Sequence, residues 1–414
     1  MKEDIITQQN NPAALERMYR ENKAQFKKEF NTIQPQLRGT ALADFWNARL
    51  NFESKEIRLG TRADWMFIII ASLLAGIIAK FPALFAIDEE FFYSRNIGFI
   101  VFPFLTAYFA WKTHLSVNKI IFIVGVTLAG LIYINLLPDE RNSDVLTLVC
   151  IHLLLVLWSV LGYAFVGGEK KGLEQRLGFL KYNGDLVVIT ALILITGGIL
   201  SGITIGLFSL IGFRIERFWG DYVVIFGLAA VPIVGTYLTR NNPQLVGKVS
   251  PVIARIFSPV VLVILIVYVG AMIYSGKDPY NDREFLMIFN ALLIGVMALI
   301  FFSVAETTRE TKSKPEVWIL FLLAAVTIIV NGVAISAILF RIAEWGITPN
   351  RAAVLGANLL ILINLLMVIA QLFRVIFKST EIRGVGKAIA VYLPVYFIWA
   401  TIVTFLFPLI FGRD

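Results

Sequence analysis

An all-α, polytopic membrane helix bundle is the fold class this sequence predicts, and three observations predict it. Of its 414 residues, 58% are hydrophobic and only 16% are charged. Soluble globular chains carry about 45–50% and about 25%. The mean hydropathy is +0.76. From Trp65 onward the apolar residues gather into successive runs near the ~20 residues that a spanning helix needs. This composition excludes a disordered chain, a disulfide-rich secreted module and an ordinary cytosolic enzyme.

Residues 1–63 are polar and read as a separate cytoplasmic domain, a helical hairpin, ahead of a transmembrane domain over 64–414. The first apolar run begins too late for a cleavable signal peptide. Asn11 is a good N-cap and Pro12 suits the first helical position. Leu15, Met18, Tyr19, Phe26, Phe30 and Ile33 then recur at helical spacing, opposite Arg17, Arg20, Lys27 and Lys28. Pro35 and Gly39 break that run. Thr40 can cap a second helix in which Leu42, Phe45, Trp46 and Leu50 share a face. Such faces pack on a membrane domain or the bilayer surface, or bind a protein partner through residues 12–58.

Eleven spans follow, at 65–87, 97–111, 119–137, 145–166, 186–211, 222–238, 252–274, 285–304, 317–340, 352–373 and 388–410. The second is short and holds Pro103, so it reads as a tilted crossing or a re-entrant segment. Orientation follows from the positive charges. With the N-terminus inside, the five inner loops hold sixteen lysines and arginines and the outer side holds nine. The net charge of +8 therefore reflects topology, and nucleic acid is not an expected partner.

Ionisable chemistry within the spans is sparse. No carboxylate falls in the middle of a run, which argues against a proton-driven pump. Lys80 is the only charge well inside one, and it can snorkel outward to Asp88, Glu89 and Glu90. Cys150 has no partner for a disulfide, and with His114 and His152 it makes no evident zinc site. Neither cofactor nor catalytic residue is expected. Neutral polar residues remain: His152, Asn290, Asn331, Asn358, Asn364 and Gln371. They bond to neighbouring helices or line a substrate path. Gly198, Gly202 and Gly206 recur every four residues and read as a helix-packing face.

Residues 383–387, Arg-Gly-Val-Gly-Lys, imitate a phosphate loop, but Glu381 replaces its first glycine and Ala388 its serine or threonine. One internal echo stands out. Phe213–Gly220 resembles Phe340–Gly346, offset by 127 residues and then 126 after a one-residue gap. Both join an outgoing span to an incoming one. The echo implies four-span repeats in parallel orientation, with any cavity between the helix pairs at 186–238 and 317–373, lined by residues such as Asn331 and Asn364.

The second copy opens a signature, Arg341-Ile342-Ala343-Glu344-Trp345-Gly346-Ile347-Thr348-Pro349-Asn350-Arg351. It resembles that of an uncharacterised bacterial membrane family catalogued as domain of unknown function 4153. Residues 176–185, Leu15–Arg20 and Phe45–Leu50 are similar too. The resemblance covers most of the chain and implies a multi-pass protein of the bacterial inner membrane. It carries no activity, cofactor or catalytic residue. Read physically, Thr348 caps the tenth span, Pro349 suits its first turn and Gly346 permits the tight turn before it. Trp345 suits the interface, and Arg341 can pair with Glu344. This corner is either structural or a ligand-contacting loop. A transporter or permease for a small or lipid-like substrate fits these features best. A membrane regulator or scaffold acting through the N-terminal helices is the alternative, and an intramembrane enzyme lacks a reactive cluster.

Overall fold

The structure, a computed structural model, describes residues 2–8, 11–33, 44–46, 49–50, 61–139, 143–167, 172–210, 214–241, 258–263, 265–267, 269–270, 280, 283–307, 314–378 and 380–412. All regular structure among them is helical. The chain divides into two units, Met1–Leu59 and Gly60–Asp414.

In the N-terminal unit, α1 (Lys2–Thr7), α2 (Pro12–Glu21) and α3 (Lys23–Ile33) enclose a small core of their own. The Asn11 side chain accepts from the Ala14 amide at 3.2 Å, and Pro12 opens α2. The run expected to be continuous over 12–33 is broken at Asn22. That residue ends α2 in an extended conformation, and its side chain accepts from the Gln25 amide at 3.1 Å. A short polar side chain competes for backbone donors, and here it restarts the helix in a new direction. Ile5, Leu15, Phe26, Phe30, Ile33, Trp46 and Leu50 are buried together, with Met18 and Tyr19 at the margin. Thr40 and Leu42 lie outside the described residues.

The second unit opens with a capping box. Thr61 Oγ1 accepts from the Asp64 amide, and the Asp64 carboxylate accepts from the Thr61 amide, which starts α4 (Arg62–Ala79). Ile68, Ala71, Ala75 and Ala79 of α4 face inward while Met66, Ile69, Ile70, Leu73 and Ile77 face outward. Small residues inside and large ones outside suit a bilayer, where close helix approach rather than water exclusion drives association. There follow α5 (Phe81–Phe85), α6 (Glu89–Lys112), α7 (Val117–Leu136), α8 (Asp144–Val166) and α9 (Gly172–Leu210). Next come α10 (Glu216–Asn241, with a π-helical turn at Trp219–Val224) and α11 (Arg283–Thr307). The chain ends in α12 (Lys314–Trp345), α13 (Pro349–Lys378), α14 (Arg383–Phe405) and α15 (Phe407–Ile410).

Among the described residues, eight helices are long and apolar enough to cross a membrane: α4, α7, α8, α9 as far as Gly202, α10, α12, α13 and α14. The span expected at 252–274 lies largely outside the described residues. Helix α6 is not among the eight, because its first half carries Glu89, Glu90, Arg95 and Asn96. It nevertheless runs from one face of the bundle to the other. At one end Arg95 is bonded to the carbonyls that close α7, and at the other Lys112 is paired with Asp64.

Contacts between helix ends sort into the same two faces. On the first, Trp65 meets Tyr237 at 5.3 Å, Lys119 donates to the Gly167 carbonyl at 2.9 Å, and Arg176 donates to that of Ala390 at 3.1 Å. On the second, Tyr133 donates to the Thr404 carbonyl at 3.2 Å and Arg341 to that of Tyr280 at 2.7 Å. That sorting is the pattern expected of antiparallel, alternating helices.

Two cores result. One joins α4, α6, α8 and α10, and the other α11, α12, α13 and α14. Helices α8, α9 and α14 bridge them.

Candidate functional site

The polar residues of the spans come together chiefly in the second core. Asn331 on α12 donates from Nδ2 to the Asn358 carbonyl of α13 at 3.0 Å. Asn358 in turn donates from Nδ2 to Oδ1 of Asn290 on α11 at 2.7 Å. Three helices are thus joined by a chain of amides inside an aliphatic cluster that includes Leu323, Val330, Ile361 and Leu365. Asn364 lies six residues further along α13. It is 0% exposed, and among the described residues neither its Oδ1 nor its Nδ2 has a hydrogen-bond partner; Asn331 Oδ1 has none either. An unpaired buried amide costs about 1–3 kcal/mol, so these groups are expensive where they stand.

The other expected polar residues are accounted for locally. His152 places Nδ1 at 2.9 Å from the Leu148 carbonyl, one turn back on its own helix. Gln371 lies against Gly384 at the start of α14. Lys80 does not reach Asp88, Glu89 or Glu90. Its Nζ sits 4.0 Å from Asp221 and 5.0 Å from the Tyr222 ring centre. The cause is that α4 ends at Ala79 and Lys80 turns toward the π-helical turn of α10.

Between the helix pairs at 186–238 and 317–373, Asn331 and Asn364 do not line the expected cavity. Helices α8, α11 and α14 pack between the two pairs. Asn331 and Asn364 are enclosed rather than lining an opening.

The glycine face is also differently used. At Gly198 and Gly202 an added methyl group would meet no described atom, so this stretch packs on nothing described here. The surroundings of Gly206 lie outside the described residues. Close approaches occur instead at glycines that no spacing marked. A methyl at Gly76 would meet the Phe226 ring, at Gly184 that of Phe302, and at Gly356 the Trp399 indole.

The corner at 341–351 is built almost entirely from backbone chemistry. Gly346 has φ of +75°, which ends α12 in the left-handed region that glycine tolerates. The Arg351 guanidinium reaches back to the carbonyls of Trp345 at 3.0 Å and Gly346 at 2.6 Å. Thr348 Oγ1 accepts from the Arg351 amide at 3.3 Å, and Pro349 begins α13. Arg341 turns from Glu344, which is exposed, to the Tyr280 carbonyl and stacks 5.7 Å from the Trp345 ring centre. A partly buried backbone carbonyl needs a donor, whereas an exposed carboxylate is already solvated. Asn350 is half-buried in the first turn of α13.

Arg95 has a role that the sequence does not signal. It is 3% exposed and donates to the carbonyls of Ile134 at 2.7 Å, Leu137 at 2.9 Å and Pro138 at 2.9 Å. It therefore caps α7. Its position six residues into an acidic helix start held no signal that its partners lie forty residues away. A cleft of about 740 Å³ in the N-terminal unit is lined by Pro12, Glu16, Arg20, Phe45, Trp46 and Arg49. Glu16 binds both arginines there, with Arg20 Nε at 2.8 Å and Arg49 Nη2 at 2.8 Å.

Among the described residues, no three histidine, cysteine or acidic side chains are grouped as metal ligands. No family model, curated protein or solved structure matches the chain. Its class rests on the fold itself: an integral, multi-pass helical membrane protein in contact with the lipid bilayer.

Proposed function

We propose that this protein is a transporter or permease-like protein for a small or lipid-like substrate. It would have eleven spans, the N-terminus inside and the C-terminus outside, in a bacterial inner membrane. The resemblance to the family of domain of unknown function 4153 supports that location. One observation carries the transport reading: the amides of Asn331 and Asn364, buried at membrane depth with three atoms unpaired. Polar groups kept in a bilayer at such cost mark functional positions. They gain partners when a hydroxyl, amide or water enters between α12 and α13, so a second arrangement of these helices would be wetted.

Reconstitution in liposomes tests this. A fluorescently labelled phospholipid in the inner leaflet becomes accessible to an external reductant if lipid is exchanged. Glycerol or urea flux, read by osmotic swelling, tests small neutral solutes. Wild-type vesicles should show one of these activities, and Asn364→Leu should reduce it about tenfold, as expected for loss of a hydrogen bond of about 1.4 kcal/mol. If neither activity exceeds that of protein-free vesicles, the reading fails.

A second reading, a membrane regulator or scaffold, is favoured by the cleft of the N-terminal unit. Phe45 is 56% exposed at its rim, an arrangement that suits an apolar anchor residue of a protein partner. That reading requires one protein to co-purify in stoichiometric amount and to be lost from Phe45→Ala.

A further inference from the structure

The ends of α6, α8 and α10 that share a face meet around a cation that pairs with no carboxylate among the described residues. Arg240, in the last turn of α10, holds its guanidinium 5.5 Å from the ring centre of Phe109 and 5.2 Å from that of Phe165. Those two rings are buried and lie 4.8 Å apart, so they form a fixed shelf. The nearby carboxylate of Asp64 is already committed to Lys112 and Thr61. Among the described residues, no acidic side chain pairs with Arg240. Beside it, the buried amide nitrogen of Asn241 faces the Tyr108 hydroxyl. A second cation, Lys119, is held by the Gly167 carbonyl at 2.9 Å, two residues beyond Phe165.

A guanidinium stacked on aromatic rings keeps the N–H donors along its edge free. Those donors form a planar fork that matches two oxygens of a phosphate. The geometry points to a seat for a phosphate oxyanion formed by Arg240 on its aromatic shelf, with Asn241 next to it in the chain. The phosphate is supplied by the headgroup of an anionic phospholipid in the leaflet at this face. The lipid source follows from depth. Arg240 closes a span of 26 residues, Glu216–Asn241, where headgroups meet the helix end. Basic pockets between spanning helices are suited to such headgroups. This site is independent of any transport activity. The competing explanation is that Arg240 only complements the dipole at the end of α10.

Titration calorimetry of the full-length protein in detergent separates the two. The probes are dihexanoyl phosphatidylglycerol, dihexanoyl phosphatidylcholine and inorganic phosphate. The wild type should bind phosphatidylglycerol saturably and more tightly than either other probe. Arg240→Gln should weaken that binding about tenfold, the loss expected when one charge-assisted hydrogen-bonding partner is removed. Arg240→Lys should fall between them, and Lys378→Gln, at an exposed basic residue elsewhere, should leave binding unchanged. If Arg240→Gln does not fold, the comparison rests on Arg240→Lys, which keeps the charge but loses the fork. Tighter binding of inorganic phosphate would overturn the lipid assignment. No saturable binding to the wild type, or equal affinity in wild type and Arg240 variants, would overturn the seat itself.

Discussion

At Gly346 and at Gly356 a single hydrogen atom in place of a side chain does two different things. Gly346 is needed for its backbone, since φ is +75° and open space surrounds it. Valine there would be strained by about 1–3 kcal/mol. Gly346→Val should therefore lower thermal stability and membrane accumulation. Gly332→Ala, in the middle of α12 and equally open, should be neutral or slightly stabilising. Normal abundance of Gly346→Val with lost function would make this corner a ligand site instead. Gly356 is needed for space, because the Trp399 indole of α14 occupies the volume a methyl would take. Gly356→Ala should cost about 1–3 kcal/mol by overpacking, whereas Gly198→Ala should cost nothing measurable. Thermal unfolding of the purified pair decides it, and equal loss at both positions would mean that Gly198 is packed in the membrane.

Among elements, α6 is the one whose role composition conceals. Within its polar first half, Arg95 and Asn96 are buried: Arg95 caps α7, and Asn96 exchanges two amide hydrogen bonds with Asn135, at 3.0 and 2.8 Å. Arg351 treats the end of α12 in the same way. A cation at the carbonyl end of a helix stabilises it by about 0.3–2 kcal/mol. If α6 crosses the membrane, cysteines placed at Glu90 and His114 in a Cys150→Ala background should be labelled from opposite sides by an impermeant maleimide. Labelling of both from one side would make the segment re-entrant.

For the whole molecule, the decisive measurement is topology. Reporter fusions at Lys171 and at Asp414 should report opposite sides, as eleven spans with an inner N-terminus require. The same side for both would remove one span. Among the described residues, the echo between 213–220 and 340–346 does not translate into matching surroundings. The pair α9 and α10 packs on α4, α6, α8, α11 and α14, while α12 and α13 pack on α8, α11 and α14. A parallel repeat would therefore have to be sought in helix geometry alone, by superposing the two pairs.

Much of this protein was determined by its sequence read locally. Runs of apolar residues dictate helices, because a backbone in lipid must satisfy its own hydrogen bonds. Asn11 with Pro12, Thr61 with Asp64 and Thr348 with Pro349 mark helix starts through bonds that span only three residues. The apolar stripe of residues 15–33 announces a buried face in the same way. What lay beyond the sequence was every choice of partner across long separations. Nothing local sends Arg95 to Leu137, Arg341 to Tyr280 or Lys80 to Asp221. Spacing alone made Gly198 and Gly202 look like a packing face, yet packing needs a neighbour, and the neighbours chose Gly76, Gly184 and Gly356. The asparagines were legible as polar groups in the membrane. Only the tertiary structure decided that Asn290, Asn331 and Asn358 join three helices while Asn364 stays unpaired, because a hydrogen bond depends on which helix faces which.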